Sequence, residues 1–299
     1  MRILMSAAAS PAAISFSQHL KSLGHQVLGI DANLEAMPIA EHYCDQFYVS
    51  PLATDPAFPG FISSLEPEFD LYLPFIDEEL LALSEKTIST SLKDKILLCP
   101  RQTIYTCSSK IRFQLQCEAL GLPIASQTLT LPAIFKPEFG RGGRGVTKIN
   151  DPELLHYYQN KKGVIQTCLI GVEYTVDVLT SKRGNWLFGV ARKRLQAAGV
   201  STIGQIDCHP AVMALAKRCV ELFEFNYCIN IQIMLDSSGI AHLIEINPRL
   251  AGSSLFSIYA GFDIIDLSIK TFFNQSLSLP KYSQIKPIKV IRHWSEYVC

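Results

Sequence analysis

What would send this chain to a membrane, a nucleic acid or an oxidising compartment is missing from it. No segment of the 299 residues reaches the roughly 20 consecutive apolar positions of a membrane-spanning helix. The apolar run at the amino terminus stops after a few residues and passes into an amphipathic pattern, unlike a secretory leader. Neither sign of charge is in excess: 27 Lys and Arg balance 27 Asp and Glu, which leaves no basic footprint for nucleic acid or an anionic membrane. The nine cysteines are odd in number and include no Cys-x-x-Cys pair, a pattern of reduced core thiols rather than of a disulfide framework or a zinc site. Internal repeats and low-complexity linkers are absent too. A cytoplasmic globular protein of two or three units is expected, at roughly 100 to 200 residues per domain.

What is present begins with a strand–helix rhythm. Residues 2–5 form an apolar strand, Pro11 starts a helix striped by Ala13, Phe16, Leu20 and Leu23, and Gly24 ends it. Further strands are expected over 26–30, 46–49 and 70–74 with helices between, hence a parallel α/β layer with right-handed crossovers reaching to about residue 104. Ligands collect at the carboxyl ends of strands in such sheets, which singles out Asp31 and the run Asp77, Glu78, Glu79. Acidic residues in a first helical turn explain that run equally well. A helix from Ser108 is expected to turn Ile111, Leu115 and Ala119 inward, and a second, over 212–223, to bury Val212, Leu215, Ala216, Cys219, Leu222 and Phe223. Residues 164–178 read as two strands with a short connector, 251–254 as a helix cap that carries Ser253, and 288–292 as a last strand.

Between strands expected over 133–136 and 146–150 lies Gly140-Arg141-Gly142-Gly143-Arg144-Gly145. A dinucleotide-binding loop needs a helix after it, whereas residues 146–150 alternate like a strand. No His-Arg-Asp, Asp-Phe-Gly or Walker A sequence accompanies it, so a protein kinase or P-loop site is excluded. There remains a hairpin tip, either a flexible surface turn or a flap whose N–H groups close over phosphates.

Residues 230–249 read as two strands around the turn Asp236-Ser237-Ser238-Gly239. A symmetric closure sets Leu235 against Ile240 and Gln232 against Leu243, placing Gln232, Glu245 and Asn247 on one face and His242 on the other. One carboxylate with two amides suits a magnesium ion that arrives with a nucleotide, and Arg249 suits a phosphoryl group or a substrate carboxylate. The plainer alternative is a hairpin whose polar face meets water. Of the run Arg192-Lys193-Arg194, which precedes a stretch at 196–204 expected to be flexible, Arg194 is the candidate site residue. No persuasive Ser-His-Asp or Cys-His set is present.

In order, Lys110, Lys136-Pro137, the glycine hairpin, Gln166 to Gly171, Glu173 to Asp177, Gln232 and Glu245-Ile246-Asn247-Pro248-Arg249 resemble the ATP-grasp superfamily, specifically ligases similar to the carbamoyl phosphate synthase large subunit. The resemblance covers the whole chain. It implies a parallel α/β pre-ATP-grasp domain over 1–104 and an α+β ATP-grasp domain over 105–299, with a small lobe at about 108–170 and a large lobe at about 171–299. It also implies that ATP and Mg²⁺, or Mn²⁺ in its place, bind between the lobes and that a carboxylate is activated as an acyl phosphate for attack by an amine or other nucleophile. Lys110, Lys136 and Gly140, Gly142, Gly143 and Gly145 match phosphate-binding positions, Gln166, Thr167 and Leu169 the adenine hinge, and Glu173 the ribose acid. Gln232, Glu245 and Asn247 match the metal ligands, with Arg249 beside the transferred phosphoryl; apart from the resemblance, Arg194 is placed to reach the γ-phosphate or an anionic substrate, and Asp77, Glu78 and Ser253 are candidate substrate residues.

Two departures stand out: Thr167 replaces a hinge glutamate, and Gln232 a second acidic ligand. The implied partners are small-molecule carboxylate and amine substrates, with a homodimer as the candidate assembly. A phosphotransferase, or a nucleotide-binding regulatory protein without turnover, shares the same positions.

Overall fold

The computed structural model describes residues 1–299 except 86, 87, 199, 294 and 299. Its first sheet is parallel, ordered β3-β2-β1-β4, with β1 at Arg2–Met5, β2 at Gln26–Asp31, β3 at Gln46–Val49 and β4 at Leu71–Leu73. Both faces are covered, as the unbroken apolar runs require. Ile3, Met5, Val27, Leu71 and Leu73 point into one core while Leu4, Leu28, Ile30 and Tyr72 point into the opposite one. The first core continues through Leu179, Phe188, Val190 and Phe256, so the amino-terminal layer packs directly on the carboxyl-terminal part. Within the amino-terminal layer, Gly29 lets Ala8 and Cys44 pack close on β2, since a Cβ there would lie 2.6 Å from Cys44 Sγ and 2.7 Å from Ala8 Cβ.

A second, three-stranded antiparallel sheet is ordered β6-β5-β7, with β5 at Ala133–Pro137, β6 at Thr147–Ile149 and β7 at Gly163–Thr167. The glycine loop is the β5–β6 connection, and Gly140, Gly142, Gly143 and Gly145 all take positive φ, which a side chain would strain. The helix Lys110–Ala119 beside this sheet buries Phe113, Gln114 and Cys117. The face expected to turn inward does not, because Leu115 is 56% exposed. The buried face carries the polar Gln114, which apolar periodicity alone does not find.

The third sheet is ordered β12-β11-β8-β9-β10-β13, with β8 at Gly171–Thr180, β9 at Trp186–Ala198, β10 at Val200–Ile206, β11 at Cys228–Asp236, β12 at Ala241–Asn247 and β13 at Lys289–Ile291. Residues 196–204 are the paired ends of β9 and β10 rather than a loose stretch, with residue 199 outside the described residues. One face is apolar: Tyr174, Val176, Val178, Ile231, Ile233 and Leu243 pack on Val212, Leu215, Ala216 and Cys219 of the helix Pro210–Leu222. Leu222, expected on that stripe, is exposed.

The register of β11 and β12 differs from the symmetric closure. Leu235 pairs with Ala241, Met234 with His242 and Ile233 with Leu243, after which a register shift sets Gln232 opposite Glu245 and Asn230 opposite Asn247. The bulge at Ile244 restores the parity that the one-residue slip would have broken, so Gln232, Glu245 and Asn247 do share a face. His242 therefore lies on the Gln232 side, not the reverse one, where its Nε2 meets Asp236 Oδ2 at 2.9 Å.

Candidate functional site

The polar face of the third sheet follows from strand period and register. Thr175 pairs with both Gln232 and Arg192, Gln232 with Glu245, and Asp177 with Asn230, so Glu173, Thr175, Asp177, Arg192, Arg194, Asn230, Gln232, Glu245 and Asn247 all look the same way. One end of this face is sealed. Arg192 is 0% exposed and grips Asp177 through Nη1 at 2.5 Å and Nη2 at 3.2 Å. Asn230, Ser254 and Ser257 donate to the same carboxylate, at 3.1, 3.3 and 2.6 Å. Ser253 belongs here, accepting from Arg192 Nη2 at 2.8 Å, and its 5% exposure keeps it off the cleft. The structure thus places this predicted residue in the Arg192–Asp177 network rather than among the residues that line the cleft.

The other end opens into a cleft between the second and third sheets. Lys110, Lys136, Gly140, Gln166, Glu245 and Asn247 line it together, and Asp77 and Glu78 reach it from the first layer. Its inner end is apolar, with Phe113, Ile124 and Val164. Burial pulls the Lys136 ammonium below its ordinary range and Lys110 adds to that, while Glu245 and Glu173 oppose it. Lys110 Nζ donates to the Gly140 carbonyl at 2.8 Å, tying the helix start to the glycine loop. The loop also reaches the first layer, with Arg141 Nη1 lying 3.8 Å from Glu78 Oε2. Gly142, Gly143 and Gly145 stand exposed at its tip.

Three predicted residues form a group of their own. Arg194 Nη1 donates to Glu173 Oε1 and, at 2.9 Å, to Gln232 Oε1. The Gln232 oxygen is thus engaged by a guanidinium, which competes with a cation at that atom. Glu245 and Asn247 stay together, with Asn247 Nδ2 donating to Glu245 Oε1 at 3.2 Å. Arg249 closes on Asp77, Nε to Oδ1 and Nη2 to Oδ2, both at 2.7 Å. Desolvation opposes its charge, but Asp77, with Glu245 and Glu79 behind it, raises its pKa above the ordinary value. Asp31 does not enter the cleft; its oxygens accept from Ala9 N and Asn33 N in the β2 turn.

At the hinge, Thr167 N donates to Ser126 O at 2.9 Å, and Leu169 sits half-buried in the β7–β8 connector. Gln166 is buried, its Nε2 donating to Gln114 Oε1 at 2.5 Å. Sequence reasoning misses Gln114, though a signal exists: positions 110, 113 and 114 share a helical face and all line the cleft.

Glu79 reads in the sequence either as a ligand-facing acid or as a helix-start acid, with no sign of its burial. It is 3% exposed, and burial raises its carboxyl to about 7, although hydrogen bonds from Ser6 at 2.5 Å and Tyr72 at 3.1 Å work the other way. A folded value above the unfolded one means stability present at low pH and lost as pH rises from about 4.5 through about 7. Glu79→Gln should therefore gain stability over the parent between pH 5 and 8, by up to about 3 kcal/mol. Urea unfolding of both proteins at the two pH values checks this; a difference that does not change with pH would contradict it.

Known proteins resemble this chain in sequence or in fold. The sequence family described as ATP-grasp in the biosynthetic pathway with Ter operon matches residues 159–294. Over those residues the chain resembles an ATP-grasp domain. The carbamoyl phosphate synthase arginine-specific large chain, chloroplastic, of Oryza sativa subsp. japonica is 23% identical over 277 residues, covering 77% of this chain and 23% of the relative. The chain thus spans about a quarter of that curated relative's length. Among solved structures, N5-carboxyaminoimidazole synthetase from Staphylococcus aureus superposes with a TM-score of 0.72 at 17% identity, over 93% of this chain and 78% of that one. L-amino acid ligase from Bacillus licheniformis gives 0.68 at 16% identity, over 96% and 78%. At these identities the likeness to solved structures is one of fold. No helix among the described residues is long and apolar enough to cross a membrane.

Proposed function

We propose that this ATP-grasp chain activates a small-molecule carboxylate with ATP and joins it to an amine or another nucleophile. The observation that carries the reading is the cleft into which Lys110, Lys136, the glycine loop, Glu245 and Asn247 converge from two sheets and a helix. Phosphoryl transfer asks a protein mainly for positioning and for charge opposite the phosphate oxygens. Two ammonium groups, one of them desolvated, and a loop of unhindered N–H groups supply both.

The metal fits part of the predicted donor set. Glu245 and Asn247 would hold Mg²⁺ as hard oxygen ligands, while Gln232 would join them only on release from Arg194. When bound, Mg²⁺ would neutralise phosphate charge. The apolar inner end of the cleft would take the base, with Gln166 at its edge. A carboxylate oxygen attacks the γ-phosphorus and the bond to ADP breaks; the nucleophile then attacks the acyl carbon, loses its proton and expels phosphate.

The eight described cysteines are free, which accords with a reducing cytoplasm. The names of both structural neighbours, a synthetase and an amino acid ligase, point to the same reaction class. Incubation with MgATP, a panel of carboxylates and hydroxylamine tests the proposal. Hydroxamate should form together with ADP and phosphate. A stable phosphorylated product without hydroxamate would make the chain a phosphotransferase, and failure to bind MgATP would remove the enzyme altogether.

A further inference from the structure

Asp77 and Arg249 lie 172 positions apart, yet they meet in a two-point ion pair beside the cleft, next to Pro248, which lines it. Asp77 comes from the first turn of the helix Asp77–Ser84 in the amino-terminal layer and itself lines the cleft. Arg249 comes two residues after Asn247, so whatever it holds lies beside the proposed metal and phosphoryl positions. Their side chains are 22% and 13% exposed. At that depth, leaving either charge without a partner is costly.

The pair therefore constrains what can replace it. A simple carboxylate that took Arg249 would leave Asp77 uncompensated in a wall that also holds Glu78 and Glu245. A simple amine that took Asp77 would leave Arg249 unpaired. A molecule bearing both groups on one carbon exchanges partners one for one, its carboxylate on Arg249 and its ammonium on Asp77, with no net charge added to the site. Resting on the ligase reading above, we propose that the carboxylate substrate is the zwitterion of an α-amino acid, received by the Asp77–Arg249 pair, with Asp77 reading the ammonium. Arg249 then presents the carboxylate oxygen toward the phosphoryl group. Glu78, on the same helix start, lies 3.8 Å from Arg141 of the glycine loop.

The test measures phosphate release from MgATP with a panel of α-amino acids, each alongside its des-amino acid and its decarboxylated amine. At least one zwitterion should stimulate release about tenfold or more, and its two analogues should not. In Asp77→Asn the KM for that zwitterion should rise at least about 30-fold, and the preference over the des-amino acid should vanish, a selectivity change that loss of a merely structural clamp would not produce. Stimulation by simple carboxylates and not by amino acids would overturn the zwitterion while leaving the ligase standing. No MgATP binding and no response to any carboxylate would overturn both. Retention of the preference in Asp77→Asn would remove Asp77 from recognition, and the parent-protein panel decides the substrate class even if that variant fails to fold.

Discussion

Glu245→Gln should lower turnover by at least about 100-fold, the scale on which loss of one charged stabiliser of a transferring group is felt. It should also raise the Mg²⁺ concentration needed for half-maximal rate. Glu245 is the only carboxylate among the three predicted ligands, since the other two are amides and Gln232 is held by Arg194. Removing one oxygen's charge here removes all the formal negative charge that the trio offers a dication. The same carboxylate opposes the desolvation of Lys136, so the ammonium should lose part of its support as well. A magnesium titration of the steady-state rate, run with carboxylate substrate present, separates the two effects. Unchanged turnover and an unchanged magnesium midpoint would place the metal elsewhere.

The second large effect concerns stability rather than chemistry. Asp177→Ala should destabilise the protein by roughly 3–5 kcal/mol, because it strands Arg192 as a charge with no counter-ion at 0% exposure. Ser253, Ser257 and Asn230 would remain, but none brings a negative charge. Replacing both partners, as Asp177→Leu with Arg192→Met, should recover most of the loss, since well-packed apolar groups avoid the desolvation cost that the pair bears. Urea unfolding of the single and double variants is the measurement. A single variant within about 1 kcal/mol of the parent would show that the pair is dispensable. The consequence for function comes from register: Asp177 and Asn230 pair across the ladder, and Asn230 pairs with Asn247, so the sealed end of the face braces the strands that carry the open end.

Much of this is legible in the sequence because strand period is a local property. The alternation in 172–178 and 228–236 separates the apolar face from the polar one before any partner is known, and the glycines at 140–145 announce a positive-φ loop. The placement of Glu245 and Asn247 beside Gln232 is readable for the same reason, although the symmetric register expected for the hairpin is not the one the fold adopts. A bulge adds a residue that no pattern of hydrophobicity records, and here it cancels the slip.

Other features needed the folded chain. The helix Lys110–Ala119 buries Gln114 rather than Leu115 because the cleft beside it supplies a partner for an amide. Arg192 and Arg194 sit two apart on one face, yet one is sealed with Asp177 and the other reaches Glu173 and Gln232. Ser253 joins the buried network because Arg192 turns toward it.

By itself, then, the sequence determined the strand and helix rhythm, the two-sided character of the third sheet and the residue types able to meet phosphate and metal, all of which depend on spacing along one segment. Tertiary structure decided which charges neutralise one another. Asp77 finds Arg249, and Glu79 finds Ser6, across separations that local propensity does not reach. A charge buried in a protein takes whichever partner the packing brings within hydrogen-bonding distance, and that distance exists only after the layers have closed.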